Sequence, residues 1–161
     1  MKGALLVALV LAVSAGGALA AQELPGFVFL EPALVTNVVD GDTFDAVWPA
    51  YGYGLRIRPA SIGAPESDEC FFDEATQYAE AILLGRWVWL DRGDPEQLWS
   101  YDRLLAKVWL DSARTASFGR IMVSQGYAEV LSWYPRGEEL DGLGLEDEAR
   151  QLERGLWGEC P

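Results

Sequence analysis

From Leu34 onward, apolar and polar positions alternate with a period of two. Leu34 to Val39 reads as a strand and Asp40-Gly41 as a tight turn. Thr43 to Trp48, with Phe44, Ala46 and Trp48 on one side, reads as the returning strand. The pair predicts a hairpin. Pro49 to Gly54 makes the next turn, and Leu55-Arg56-Ile57-Arg58 alternates apolar with cationic, which sets both arginines on one face of a third strand. The period then changes. Ala75, Tyr78, Ala79 and Ile82 follow the i, i+3, i+4, i+7 spacing of a helix over 72–84, and Gly85 stands at its stop. Trp87 to Leu90 and Leu104 to Leu110 are apolar, aromatic-rich strand segments flanking a polar loop with Asp94, Pro95 and Ser100. Phe118 to Gln125 predicts a second helix ending at Gly126, and Ala128 to Ser132 a short extended piece. Gly144 to Arg154 predicts a third helix, whose early Glu146, Asp147 and Glu148 suit the positive end of the helix dipole. Three strands, a helix, two strands and two helices predict a small antiparallel β-barrel with helices attached, an α+β architecture.

The N-terminus carries a different pattern. Lys2, an apolar run from Ala4 to Val13 and the small-residue ending Ala18-Leu19-Ala20 read as a secretory signal over residues 1–20, with cleavage expected after Ala20. The apolar run is shorter than the roughly 20 residues of a spanning helix, which disfavours the alternative of a membrane anchor. The mature chain is therefore expected to be secreted or periplasmic, without stable membrane insertion. Residues 21–33, with Pro25, Gly26 and Pro32, form a lead-in segment, and residues 34–161 one domain. Cys70 and Cys160 are the only cysteines. In an exported chain the pair reads as a disulfide tying the chain end to the segment after Ala64-Pro65-Glu66, with two free thiols as the alternative. With no histidine and two distant cysteines, a zinc site of the Cys/His kind is excluded.

Charge complicates the picture. The chain holds 12 basic and 25 acidic side chains, a net charge of −13, and signal cleavage removes Lys2 and no acid. Such a surface repels polyanions at long range. Screening confines that repulsion, because at physiological salt the Debye length is about 8 Å and two arginines still control their own pocket.

Candidate chemistry lies in three segments: Asp40-Gly41-Asp42-Thr43, Arg58 with Ala64-Pro65-Glu66, and Tyr101-Asp102-Arg103. Two guanidiniums and two carboxylates are the groups needed to hold a metal and a phosphate and to activate a water. Each alone has a plainer reading, as a hairpin turn, a solvated strand face, a helix approach or a surface ion pair. Taken in order, the set is specific. With Leu104-Leu105-Ala106, Gly126-Tyr127-Ala128 and Gly155-Leu156-Trp157-Gly158, it resembles the staphylococcal nuclease-like, or thermonuclease, family from about Leu34 to Cys160.

The resemblance implies a five-stranded OB-fold barrel with three α-helices. It implies an exported endonuclease that hydrolyses phosphodiester bonds in DNA or RNA with little sequence preference, using Ca2+ or another divalent ion, and a monomer is expected. Arg58 and Arg103 would grip the phosphate and Glu66 would act on the attacking water. Asp42, the Ala64 backbone carbonyl and Glu66, directly or through water, would hold the metal. Tyr101 and Tyr134 would stack a base. Four departures stand against this. Gly63 occupies the place where the family usually has a second ligating aspartate, so weaker metal binding is expected. Pro59 interrupts the strand donors after Arg58, Asp102 adds negative charge beside Arg103, and the whole surface is acidic. Gly63 and the acidic surface favour a second reading, an OB-type binding module with weakened chemistry that engages nucleic acid, a saccharide or a protein, against which the Arg58, Glu66 and Arg103 set stands.

Overall fold

The computed structural model describes residues 31–49, 52–91, 99–132 and 143–161. The expected signal over residues 1–20 and Tyr134 lie outside the described residues. The hairpin forms where the alternation places it: β1, Glu31–Asp40, turns into β2, Thr43–Trp48, which pairs in turn with β3, Tyr53–Pro59. A two-residue strand β4, Ile62–Gly63, follows, then helix α1, Phe72–Leu83, and strands β5, Trp87–Asp91, β6, Trp99–Ser100, and β7, Arg103–Trp109. Helix α2 spans Phe118–Ser124 and strand β8 Glu129–Val130. Helix α3 spans Leu145–Gln151, and α4, Leu156–Glu159, is a single turn.

Five strands run in the order β3-β2-β1-β5-β7, each antiparallel to its neighbour, and β3 closes onto β7 in parallel through Ile57↔Leu104, Arg58↔Leu105 and Pro59↔Ala106. The barrel is thus mixed rather than antiparallel throughout. A closed ring of five strands cannot alternate direction all the way round, so one pair must be parallel. That parallel pair sets Arg58 beside Leu105, two residues beyond Arg103 on the same face of β7.

Alternation decides what fills the interior. Phe44, Ala46 and Trp48 of β2 and Ile57 of β3 point inward and are buried with Val35, Val88, Leu90 and Val108. Phe44 meets Phe118 of α2 edge to face at 6.5 Å between ring centres. Removing so buried a ring costs about 3–5 kcal/mol. Helix α1 covers one end of the barrel with Ala75, Ala79 and Leu83 buried, and its small alanines let it approach β1 closely. Helix α2 starts at Ser117, whose hydroxyl accepts from the Arg120 N–H.

Two boundaries differ from expectation. Glu31 to Ala33 belong to β1, pairing with Leu90, Trp89 and Val88, rather than to a lead-in segment. Pairing with β2 begins only at Leu34, so Pro32 sits on a locally open edge where a missing N–H leaves no gap in a ladder. The expected helix over 144–154 ends at Gln151, and the chain turns through Glu153 (φ 49°) and Gly155 (φ 54°) into α4. The reason is contact: Gly155 lies on the backbone of Gly126, whose carbonyl accepts from the Leu156 N–H at 2.9 Å. A Cβ on either glycine would run into the other segment's backbone, which is why both motifs carry glycine there.

Candidate active site

The turn between β1 and β2 is packed as well as hydrogen-bonded. The Asp40 carboxylate accepts from the Asp42 N–H at 2.9 Å, and a Cβ on Gly41 would meet that of Ala64 at 2.5 Å, so glycine lets the turn lie against the Ala64 segment. This contact carries Asp42 into the interior, where it is 7 % exposed. Its Oδ2 accepts from the Ala64 N–H at 2.8 Å and faces the Arg58 guanidinium at 3.0 Å, while Oδ1 accepts from the Thr43 hydroxyl at 3.2 Å. Burial raises its carboxyl from the usual 3.8 to about 6, and the pull of Arg58 and of the Ala64 N–H does not cancel that rise.

Arg56 and Arg58 share a face of β3 and have different fates. Arg56 forms a forked surface pair with Asp45, with contacts of 2.8 and 3.2 Å. Arg58 turns inward, and its Nη1 donates to the carbonyls of Pro59 at 2.8 Å and Ile62 at 2.7 Å. Pro59 therefore holds the arginine through its carbonyl, and the ladder continues past it with the Ala60 N–H donating to Ala106.

Beyond Ile62 the chain forms the wall of a cavity of about 510 Å³, lined by Asp42, Arg58, Gly63, Ala64, Pro65 and Glu66. Glu66 is exposed, and its N–H donates to the Glu69 carboxylate at 2.8 Å, which fixes the turn that presents it. The disulfide expected between Cys70 and Cys160 is present and forms part of the wall with Leu156. Arg103 and Tyr101 lie outside the cavity lining. The Arg103 guanidinium donates to Ser100 at 3.3–3.4 Å and sits 5.9 Å from the ring of Tyr101, which is 95 % exposed at the β6–β7 turn. Asp42, Arg58, Ala64 and Glu66 are thus brought together, and the Arg103 pair stands apart at the neighbouring strand end.

Glu129 and Leu131 also line the cavity, and neither stands in one of the three motif segments. They stand across from the Ala64 segment because β8 pairs with β4, with Gly63 opposite Glu129, and because the Leu131 N–H donates to Ser61 at 2.9 Å. Their position just after Gly126-Tyr127-Ala128 was the available signal. Leu131 occupies the room beside Gly63: its Cδ2 lies 3.2 Å from where a Cβ would stand. The lining includes the acids Asp42, Glu66, Glu69 and Glu129, the donor type of a hard divalent cation such as calcium. Asp42, Glu66 and the Ala64 carbonyl fit that role, although among the described residues no three such side chains already stand close enough to share an ion.

The sequence model of the staphylococcal nuclease homologue family matches residues 56–159, the span that holds Arg58, Glu66 and Arg103. The chain belongs to this family. By that membership it is a nuclease, a hydrolase of phosphodiester bonds. Among its relatives, the protein ParB of Escherichia coli is 30 % identical over 131 residues, 78 % of this chain and 71 % of the relative. The micrococcal nuclease of Shigella flexneri is 27 % identical over 131 residues, 78 % of this chain and 72 % of its own. An uncharacterized endonuclease of Escherichia coli O157:H7 is 29 % identical over 141 residues, 83 % and 86 %. The closed five-stranded barrel is the OB fold of the staphylococcal nuclease homologues, and the cavity at Asp42 and Arg58 lies where β3, the turn after β1 and the segment after β4 converge.

Proposed function

We propose that the chain is an exported, calcium-dependent nuclease that cleaves DNA or RNA with little sequence preference. One observation carries the reading: a buried acid, an anchored arginine and an accessible glutamate line one cavity. Arg58, fixed by two carbonyls, offers a rigid fork of donors to phosphate oxygens and to the charge that grows on them as phosphorus becomes five-coordinate. Arg103, at the start of β7, would swing from Ser100 onto the same phosphate, with Tyr101 beside it to stack a base. Glu66 accepts the proton of the attacking water as the new P–O bond forms; the opposite P–O bond breaks and the leaving oxygen takes a proton from solvent. Asp42 and the Ala64 carbonyl, with Glu66 through water, would hold a cation that offsets phosphate charge and acidifies nearby water when bound. Export rests on the signal pattern of residues 1–20.

Purified chain from residue 21 onward should degrade single-stranded DNA and RNA in calcium and stop when a chelator is added. Absence of cleavage at every calcium concentration, with retained binding to a single-stranded oligonucleotide, would favour the binding-module reading. Gly63, covered by Leu131, is the observation on that side.

A further inference from the structure

We propose that Glu129 is the second carboxylate of the cation site, supplying from β8 the ligand that Gly63 lacks; this rests on the calcium-dependent reading above. Gly63 and Glu129 are direct partners across the antiparallel β4–β8 pair. Directly opposed residues in such a pair send their side chains to the same face, with Cβ atoms about 4.5–5.5 Å apart. A side chain on Gly63 and the side chain of Glu129 thus share one face, and both positions line the cavity that holds Asp42.

Two further observations suit a ligand. The backbone beneath Glu129 is fixed, because the Val130 N–H donates to the Glu146 carboxylate at 2.5 Å and the Leu131 N–H donates to Ser61. The carboxylate above it is exposed and makes no hydrogen bond or ion pair among the described residues. A fixed base with an uncommitted oxygen-bearing arm is able to turn inward when a cation arrives. Leu131 explains why the carboxylate comes from this side: it fills the space that a side chain at position 63 would enter. With Glu129 included, the donor set of Asp42, Glu129, the Ala64 carbonyl and Glu66 recovers the carboxylate lost at position 63.

Calorimetric titration of the mature protein with calcium tests this, without any reading of activity. Glu129→Gln should weaken calcium binding roughly tenfold or more, since calcium affinity follows the number of charged ligands. Glu80→Gln, an equal charge change on the exposed side of α1, should leave it unchanged. Adding Gly63→Asp together with Leu131→Ala, which clears the space beside it, to Glu129→Gln should restore binding. If Glu129→Gln binds calcium as wild type does, this inference is wrong while the calcium reading stands; if wild type itself binds no calcium, both fall. If Glu129→Gln tightens binding of a single-stranded DNA oligonucleotide and leaves calcium untouched, Glu129 is a repulsive rim charge and the inference is overturned.

Discussion

Replacing Cys70 and Cys160 together by serine opens a loop of 90 residues in sequence separation, which encloses all four helices, β5 to β8 and the Glu129 side of the cavity, while β1 to β4 lie before it. In the chain-entropy account, a cross-link closing a loop of that length removes enough freedom from the unfolded chain to stabilise the fold by about 4.6 kcal/mol at 25 °C. Set against a total stability of about 5–15 kcal/mol for an ordinary domain, the loss is large, and a fall of about 10–20 °C in Tm is expected. Urea unfolding followed by tryptophan fluorescence separates the sources of the effect. If the disulfide acts on the unfolded chain, the double variant shows a lower midpoint and a steeper dependence on urea, because the uncrosslinked chain exposes more surface when it unfolds. A loss below about 1 kcal/mol would refute the entropic reasoning, as would a full loss with an unchanged slope. The second result would place the stabilisation in the folded cavity wall instead.

Four other outcomes follow from the same geometry. In chelator, the raised carboxyl of Asp42 stabilises the fold fully below its usual 3.8, and that contribution is lost as pH rises through about 6. The stability difference between wild type and Asp42→Asn should therefore change by about 3 kcal/mol between pH 3 and pH 7, in favour of the variant at high pH; a flat difference in urea unfolding refutes it. Arg58→Lys has only three donors, which the two carbonyls and Asp42 would take up, and no planar fork left for a phosphate, so kcat should fall about 10²–10³-fold with the fold retained, and a loss under tenfold removes Arg58 from its assigned role. Glu146→Gln weakens the acceptor for the Val130 N–H and should cost about 1–2 kcal/mol in urea unfolding, whereas Glu148→Gln, paired with Arg154 at the surface, should cost less than about 0.5 kcal/mol. Cleavage at low substrate should rise as salt goes from about 0.01 M to about 0.15 M, because long-range repulsion is screened first, from about 30 Å to about 8 Å; a steady fall would mean a net attractive field.

What was legible in the sequence is what obeys a local period or a fixed spacing. Phe44, Ala46 and Trp48 alternate and all three point inward; Ala75 and Ala79 lie on one helical stripe and are buried under α1. Asp42, Arg58 and Glu66 were found by spacing along the chain, and they meet at one cavity. Elements defined only by tertiary pairing were not legible. Two-residue strands such as β4 and β8 have no period to detect, and nothing local says that Glu129 faces Gly63. The break between α3 and α4 was hidden for the same reason, since Gly155 turns there to lie on Gly126, 29 positions earlier in the chain.

The loss of a carboxylate at position 63 also changes the electrostatics of the cavity without its cation. An acid there would lie beside Asp42, whose carboxyl already titrates near 6 because it is buried, and a second like charge would raise it further. Gly63 under Leu131 puts apolar surface in that place, so among the described residues Asp42 has one cationic partner, Arg58, and no close carboxylate competing for it from β4. With Glu129 as the second ligand, that carboxylate stays in water until a cation makes its approach favourable. The cost moves from electrostatic repulsion in the empty site to side-chain ordering in the loaded one, at about 1.5–2 kcal/mol for a glutamate. That converts to calcium binding about ten- to thirty-fold weaker than from a preformed pair of buried acids. The arrangement therefore favours a stable cation-free fold over tight cation retention, which suits a site whose cation is supplied by the surrounding medium.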